Sequence, residues 1–385
     1  HLLQVYLTPK PSEYISYYEE VMIPAFEALY PDITVELQQG TWYVDTVMVR
    51  YIAGNAPDVV QISSLLGTFM EMLAPLDPFI SQWHDLRDFP PSLMDNVRMN
   101  GHLYAIPWNL GPHAFTYRTD LFAEAGLDPQ VAPTTWDDLI AFGRKLTKTD
   151  DTGQLVQAGF RTEDRDDAFA PFVYQAGGDF LSQDLRRVTF GEREGVEAAD
   201  FVRSLFHEYR IADPALGSFS KGKTAMAYTT FEAFTKDSGT YDLRDVEVCL
   251  PLTYRRQGQL TVHFSWAIIN TSPLQEAAWK WIEFASRLDN IVDLAVYMGD
   301  QSVLFPPRLS AVRRAPMAED PRWRTTFEAV ALSMDVPAFK SPHWDVIRKE
   351  YIRPFLKRIF YDGQPPTLWE EAQRQANVWL KDQFP

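Results

Sequence analysis

The stretch ITVELQQGTWYVDTVMVRYIAGNAPDVVQIS, residues 33–63, decides the class of fold. ITVELQQ at 33–39 has the apolar pattern of a strand, and residues 43–53 have helical periodicity. DVVQIS at 58–63 is a second strand, bounded by Asn55-Ala56-Pro57. This strand–helix–strand order predicts a parallel sheet with helices on its faces, and hence an α/β fold.

The residues before this stretch follow the same pattern. LLQVYL at 2–7 is a predicted strand, and Pro24 is expected to kink the helix that follows it. One face of that helix carries apolar residues at Ile15, Tyr18, Met22, Phe26 and Leu29. A chain of 385 residues exceeds what one core usually serves, so two domains are expected.

Composition restricts the classes of partner. The formal net charge is −16, which argues against nucleic acid or an anionic membrane as partner, because both need basic patches. The single cysteine, Cys249, lies in the apolar run VEVCLPL and is predicted to be a buried strand residue. No apolar run has the length of a membrane span, and a signal peptide is expected to be absent or already removed.

No catalytic or metal-binding pattern stands out. The seven histidines lack zinc-site spacing, and no G-x-S-x-G element is present. Adjacent carboxylates are interpreted as solvated charges at 137–138, 150–151, 166–167 and 370–371. We therefore expect no catalytic residue, no metal site and no cofactor.

Residues 217–224, GSFSKGKT, match the phosphate-binding pattern G-x-x-x-x-G-K-[ST]. A phosphate-binding loop must leave a strand and open a helix. Here a helical pattern at 194–209 precedes the loop, and TAMAYTT at 224–230 has the pattern of a strand. The match is therefore interpreted as accidental, with Thr224 beginning a strand and no nucleotide bound.

Two helix starts carry capping-box patterns. Thr135 and Asp138 predict a helix that runs to about Leu146. Ser272 and Gln275 make the same signal before AAWKWIEFA, which ends at Ala285. Both signals predict that the first side chain caps the helix.

The run FSKGKTAM at 219–226 resembles the F-x-x-G-K-x-A-M segment of extracellular solute-binding proteins of the maltose-binding type (family 1), the capture subunits of carbohydrate ABC importers. The resemblance extends from about residue 3 to 315 and departs from the family at Arg118 and at Phe264-Ser265-Trp266. The other matching segments are YPDITV (30–35), GNAPDVV (54–60), LAPLD (73–77), NGHLYAIPW (100–108), YRTDLFAEAGL (117–127), TWDDL (135–139), AGG (176–178) and AAWKWIEF (277–284).

The resemblance implies a two-lobed periplasmic-binding-protein fold, each lobe a mainly parallel sheet flanked by helices, with a hinge and an interlobe cleft. Crossings near 110–114, 258–266 and 310–316 would give discontinuous lobes, 1–110 plus 265–312 and 113–262 plus 316–385. The implied function is capture of a carbohydrate, an oligosaccharide by preference, for the membrane permease subunits of an ABC importer. The protein would be an extracytoplasmic monomer, periplasmic or a cell-surface lipoprotein without its anchor.

Sugar clefts combine aromatic faces with polar side chains. Carried over from the family, the candidate ligand-binding residues lie at strand ends: Thr8, Glu13, Thr41, Trp42, Ser63, Ser64, Trp108, Asn109, Tyr174, Gly177, Asp179, Tyr228, Thr230, Phe231, Trp266, Gln301, Ser302 and Pro306. Trp108 and Trp266 are expected to touch a sugar ring from opposite sides. Ser63 and Ser64 could instead cap a helix, Asn109 could be a turn residue, and Trp42 could be buried.

Two alternatives stay open. The same fold could bind a polyamine, a phosphorylated polyol or a peptide, although Glu13 and Asp179 are thin support for a polyamine. A glycoside hydrolase is the second alternative, because two carboxylates across a cleft would suffice. Product formation from an oligosaccharide would distinguish it from a binding protein.

Overall fold

The computed structural model describes residues 1–7, 12–40, 44–81, 83–216, 219, 222–230, 243–298, 305–314 and 318–384. Side chains at 12, 13, 215, 229, 230 and 243 are outside this description. The strands are β1 Leu2–Leu7, β2 Thr34–Gln39, β3 Val59–Ser63, β4 Arg98–Met99, β5 His102–Leu103, β6 Ile106–Arg118, β7 Lys148–Thr149, β8 Leu155–Arg161, β9 Thr224–Thr230, β10 Val246–Cys249 and β11 Thr261–Ile268.

The α-helices stand before, between and after these strands. They are α1 Ser12–Tyr17, α2 Ile23–Leu29, α3 Val44–Ile52, α4 Leu66–Phe69, α5 Asp77–Ile80, α6 Pro91–Asn96, α7 Thr119–Glu124, α8 Trp136–Leu146, α9 Asp166–Gln175, α10 Arg193–His207, α11 Gln275–Ala285, α12 Leu288–Met298, α13 Pro321–Ala331, α14 Trp344–Val346, α15 Arg353–Phe360 and α16 Leu368–Lys381. Within the described ranges, no helix is long and apolar enough to cross a membrane.

The chain forms two compact units. The first contains residues 1–111, 262–319 and 339–342, and the second contains 112–261, 320–338 and 343–385. The chain thus passes between units inside β6, after Gly111, and inside β11, after Thr261. Residues 339–342 belong to the first unit, whereas the family resemblance implies that residues 316–385 all belong to the second lobe.

The first unit has a largely parallel sheet in the order β2-β1-β3-β11. β1 pairs in parallel with β2 and with β3, and β11 pairs antiparallel with β3. A π-helical turn at Tyr18–Met22 joins α1 to α2, and Pro24 lies in the first turn of α2. Because proline cannot donate a backbone hydrogen bond, it fits the first turn of α2, directly after this wider turn.

The second unit has a mixed sheet. β6 lies between β9 and β10 and is antiparallel to both, and β7 is antiparallel to β8. Among the described strand pairs of this unit, only β8 and β9 are parallel. The α/β class is confirmed, but this sheet is less parallel than expected, since β6 and β7 run opposite to β8, β9 and β10.

The two helix-start predictions have different outcomes. Thr135 and Asp138 form the expected capping box at α8. Ser272 does not cap α11, whose N-cap is Leu274. Its hydroxyl instead donates to Asp58 Oδ1 at 2.5 Å and accepts the Leu274 N–H at 3.0 Å, so the second capping prediction is wrong.

The stretch around GSFSKGKT has the order that the sequence predicts. The helix α10 ends at His207, and β9 begins at Thr224. Residues 217, 218, 220 and 221 lie outside the described part of the chain. The helix-to-strand order is the reverse of what a phosphate-binding loop requires. Cys249 ends β10 and is buried, as expected.

Candidate functional site

Some of the predicted ligand-binding residues lie outside the described residues. They are Thr8, Thr41, Trp42, Phe231, Gln301 and Ser302, together with the side chains of Glu13 and Thr230. Their contacts with a ligand stay predictions.

Ser63 and Ser64 follow the buried core of β3. Ser63 ends the strand opposite Phe264 of β11. The buried Ser64 hydroxyl accepts the His263 N–H at 2.7 Å and donates to the His263 carbonyl at 3.1 Å. Ser64 therefore joins β11 to the end of β3, and its hydroxyl is already occupied.

Trp108 and Pro306 line one small apolar cavity in the first unit. Trp108 is 3% exposed, and its ring centroid is 5.5 Å from that of Tyr14. The buried Asn109 accepts the Phe305 N–H on its Oδ1 at 2.9 Å. The other cavity-lining residues are Tyr18, Ala285, Ile291, Leu294 and Ala295. Asn109 thus holds the 305–306 segment beside Trp108.

Trp266 occupies a different environment from the expected one. Its side chain is fully buried in the core of the first unit, with ring centroids 6.0 Å from Trp108, 6.2 Å from Tyr18 and 6.3 Å from Trp281. Alternation along β11 turns this side chain toward the helices that cover the sheet. A ring enclosed by other rings offers no face to a sugar, so the structure does not support ligand contact by Trp266.

The second unit contains a polar cavity of about 130 Å³. It lies at the carboxyl ends of the parallel strands β8 and β9 and at the start of α9, the edge of an α/β sheet where ligands commonly bind. Its lining residues are His113, Arg161, Thr162, Glu163, Arg165, Ala168 and Tyr228. Of the predicted residues whose side chains the structure describes, Tyr228 alone lines this cavity.

Charged pairs form one side of this cavity. Arg161 donates to Glu163 at 2.8 Å, and the Arg165 guanidinium lies 3.5 Å from the same carboxylate. Arg165 also donates from Nε to Asp167 Oδ1 at 2.9 Å and from a terminal nitrogen to Oδ2. Burial raises the pKa of Asp167, but the hydrogen bonds from Arg165 and the Ala168 N–H, together with nearby positive charge, lower this pKa to about 2. Glu163 and Asp167 thus both accept hydrogen bonds from arginine side chains.

The uncharged residues of the cavity are buried. Burial lowers the pKa of His113, against the opposing charge of Asp167, so the imidazole is neutral at neutral pH. The Tyr228 hydroxyl accepts hydrogen bonds from Gln175 Nε2 at 2.7 Å and from the Leu252 N–H at 3.2 Å. Thr162 is 5% exposed, and its hydroxyl has no hydrogen-bond partner among the described residues. The cavity thus combines a fixed aromatic ring with polar groups of both hydrogen-bonding types.

Tyr174, Gly177 and Asp179 lie at the carboxyl end of α9. The Arg256 guanidinium lies 3.5 Å from the Tyr174 ring centroid and donates to the Tyr174 carbonyl at 2.5 Å. Gly177 has a φ of 97°, in the region that favours glycine at a helix end. Burial raises the pKa of Asp179 to about 6. Arg256 covers the Tyr174 ring on one face, and ligand contact by these three residues stays a prediction.

The run RTEDRDD at 161–167 supplies most of the cavity and contains none of the predicted ligand-binding residues. The sequence predicts that Asp166 and Asp167 are solvated charges, and this prediction is wrong for Asp166, which is 5% exposed. Its carboxylate accepts from Arg353 Nε at 2.8 Å. The available signal was a dense charge run directly after the apolar end of a strand. In the described part of the chain, no cluster of His, Cys, Asp or Glu is placed to hold a metal ion.

A family model described as bacterial extracellular solute-binding protein matches residues 9–289. The chain belongs to this family. The family resemblance inferred from the sequence motifs is thereby confirmed.

Individual relatives are distant. The arabinooligosaccharide-binding protein of Halalkalibacterium halodurans is 23% identical over 210 residues, 52% of this chain and 45% of that protein. The sn-glycerol-3-phosphate-binding periplasmic protein of Escherichia coli is 30% identical over 107 residues, 26% of this chain and 24% of that protein. The chain therefore matches less than half the length of these curated relatives.

Solved structures extend the similarity over the whole chain. The sugar-binding protein MalE of Xanthomonas citri has a TM-score of 0.83 at 19% identity, covering 100% of this chain and 98% of that chain. At this identity the likeness establishes the fold.

Proposed function

We propose that this protein captures a neutral carbohydrate outside the cytoplasm and delivers it to the membrane permease of an ABC importer. Among carbohydrates, we propose an oligosaccharide as the ligand. The protein acts as a monomeric binding protein without catalysis. Capture between two closing lobes, expected from the family resemblance, is part of this proposal. Membership of the solute-binding family supports the class of function, and the chemistry of the polar cavity supports the class of ligand.

The charge balance of the cavity is the observation that carries this proposal. Arg161 and Arg165 supply two positive charges, and Glu163 and Asp167 supply two negative charges in direct contact with them. His113 adds none at neutral pH. A neutral ligand with many hydroxyl groups can donate to the carboxylates and accept from the guanidinium groups without breaking the pairs. Hydrogen bonds to charged groups are stronger than those between neutral groups.

A phosphorylated polyol is the second candidate, because one relative is named for sn-glycerol 3-phosphate and arginine is well suited to phosphate. Against it, Arg161 and Arg165 are both neutralised by neighbouring carboxylates. A phosphate group would have to displace Glu163 or Asp167 and would meet their repulsion. The electrostatics of the cavity therefore favour the neutral ligand.

The test is a thermal-shift screen followed by calorimetric titration with arabinotriose, maltotriose, lactose and sn-glycerol 3-phosphate. We expect at least one sugar to raise the melting temperature and bind with one-to-one stoichiometry, because a ligand that binds only the native state stabilises it. Arg165→Gln should weaken that binding about tenfold to a hundredfold, as expected for a lost hydrogen bond to a charged group.

Arg144→Gln is the matched control, since Arg144 lies over the Tyr209 ring on the surface of the same unit. Binding of sn-glycerol 3-phosphate without binding of any sugar would overturn the choice of ligand. Chromatography of each sugar after incubation tests the absence of catalysis, and any hydrolysis product would contradict it.

A further inference from the structure

The cavity segment 162–167 makes contacts on two sides. Thr162, Glu163 and Arg165 line the cavity. Asp164 and Asp166 make their described contacts with the C-terminal helices of the same unit. The segment therefore has one side that meets the cavity and another that is held from behind.

Tyr361 holds Asp164. Its hydroxyl oxygen accepts the Asp164 backbone N–H at 3.2 Å and donates to Asp164 Oδ1 at 3.4 Å. Both groups of Asp164 thus bind one side chain that is 197 residues away along the chain. A tyrosine has few side-chain rotamers, so this contact restrains the backbone of the segment at its middle.

Arg353 and Arg348 hold Asp166. Arg353 Nε donates to Asp166 Oδ1 at 2.8 Å, and the Arg348 guanidinium lies 4.0 Å from Oδ2. Asp166 is the first residue of α9, and Asp167, the partner of Arg165, follows it directly. A buried carboxylate needs its partners in place, so this pair ties the start of α9 to α15.

The C-terminal helices are themselves anchored in the core. The Phe360 ring centroid is 5.3 Å from that of Phe169 on α9, and His207 Nε2 lies 2.8 Å from the Phe360 carbonyl oxygen. Trp369 on α16 is fully buried with its ring centroid 5.6 Å from that of Phe169. Packing of this kind makes the segment 347–361 a fixed support.

We propose that Arg353 and Tyr361 are positioning residues for ligand capture, which hold the segment 162–167 so that Glu163 and Arg165 face the cavity in a binding-competent arrangement. This rests on the proposed function of the cavity. The last seventy residues, which carry few family motifs, thereby pre-organise the ligand-binding groups. Pre-organisation lowers the entropy that binding must remove, and hence strengthens binding.

The first measurement needs no ligand. Hydrogen–deuterium exchange of the full-length protein is followed by mass spectrometry in the parent, Tyr361→Phe, Arg353→Gln and Arg353→Lys. We expect about threefold to tenfold faster exchange in peptides covering 161–168 for Tyr361→Phe and Arg353→Gln, with the rest of the second unit unchanged. Arg353→Lys should restore exchange to near the parent rate, because lysine keeps the charge beside Asp166.

Two control variants remove similar groups elsewhere in the C-terminal helices. Tyr351→Phe removes a hydroxyl from a tyrosine whose ring packs on Trp379, and Arg374→Gln removes an exposed partner of Glu370. Neither control should alter exchange at 161–168. Parent-like exchange at 161–168 in both Tyr361→Phe and Arg353→Gln would overturn the proposal. Global acceleration in either variant would assign its residue to general stability instead.

The second measurement is titration of the same variants with arabinotriose and maltotriose. Tyr361→Phe should weaken binding of the sugar that binds the parent about threefold to twentyfold. Parent-like affinity in a variant with faster local exchange would show that the support does not serve binding. If none of the three screened sugars binds the parent, the proposed ligand class fails, whereas the exchange result still decides whether the C-terminal helices hold the segment.

Discussion

Replacement of Trp266 separates a core residue from a ligand-binding residue. If Trp266 touched a sugar ring, as the family resemblance implies, Trp266→Ala would weaken sugar binding while the protein stays folded. The structure predicts the opposite, because the Trp266 side chain is fully buried among Tyr18, Trp108 and Trp281. The free energy of unfolding should fall, and the remaining folded protein should bind as the parent does.

The magnitude follows from burial. A tryptophan buries about 150–250 Å², and apolar burial is worth about 25 cal/mol per Å², which gives roughly 4–6 kcal/mol for the whole side chain. Part of the cavity left by alanine collapses, so we expect a loss of about 3–5 kcal/mol. Trp266→Phe should cost less, about 1–2 kcal/mol, because the indole N–H has no acceptor among the described residues and its removal relieves an unsatisfied donor.

Urea denaturation followed by far-ultraviolet circular dichroism measures these losses without relying on tryptophan fluorescence. Trp379→Ala is the control, since Trp379 is half-buried on α16 and should cost less than Trp266→Ala. Calorimetry with the sugar found by screening then gives the affinity of each folded variant. An unfolding free energy within about 1 kcal/mol of the parent, joined to at least a tenfold loss of affinity, would refute the core assignment.

Three further changes test the second unit. Gly159→Ala should lower the free energy of unfolding by about 1–3 kcal/mol, because the new methyl group would lie 2.6 Å from the Gly143 Cα, where β8 crosses α8. Urea denaturation measures this loss, and a stability equal to that of the parent would contradict the close crossing. Thr162→Val should raise the free energy of unfolding by about 1 kcal/mol, since the Thr162 hydroxyl has no hydrogen-bond partner among the described residues. Thr116→Val should lower the free energy of unfolding by about 1 kcal/mol, because it removes the 3.2 Å hydrogen bond to the Ala227 carbonyl. Urea denaturation that shows both variants stabilised, or both destabilised, would refute this comparison. Asp179→Asn should stabilise the protein more at pH 8 than at pH 4, and the difference between the two stabilisations should be about 2–3 kcal/mol. Urea denaturation at pH 4 and at pH 8 measures it. Burial raises the pKa of Asp179 to about 6, so its contribution to stability is present below pH 4 and is lost as the pH rises through 6; a difference independent of pH would exclude this titration.

Much of the fold was predictable from local pattern. The strands at 2–7, 33–39 and 58–63 have alternating or continuous apolar residues, and the structure places β1, β2 and β3 within one residue of them. The capping box at Thr135 depends on residues three positions apart, and it forms. Such signals depend on neighbouring residues, which is why the sequence alone reveals them.

Other features depend on residues far apart in the chain. Ser272 was expected to cap α11 by its spacing to Gln275, but Asp58 competes for its hydroxyl. The mixed sheet of the second unit depends on how β6 and β10 meet, which no local pattern reports. Tertiary partners override local preference at such positions.

The candidate site was less predictable than the fold. Trp266 and Trp108 are aromatic residues near strand ends, but their neighbours decide whether they face solvent or core, and those neighbours come from distant helices. The adjacent carboxylates at 166–167 are predicted from the sequence to be solvated charges. Asp166 is buried because Arg353, far along the chain, supplies the opposite charge. Long-range pairing of this kind leaves no signature in a single sequence.

The pairing of β3 with β11 has a consequence for the order of folding. Ser64 and His263 are 199 residues apart, and the chain leaves the first unit after Gly111 and returns at Val262. At about 5–20 residues per second, a ribosome needs roughly 8–30 s to make the intervening segment. Throughout that time the apolar strand Val59–Ser63 lacks its second neighbour and keeps an open edge, a template for incorrect pairing. Nascent chains of this protein therefore pass through a long interval in which shielding of that edge decides between folding and aggregation.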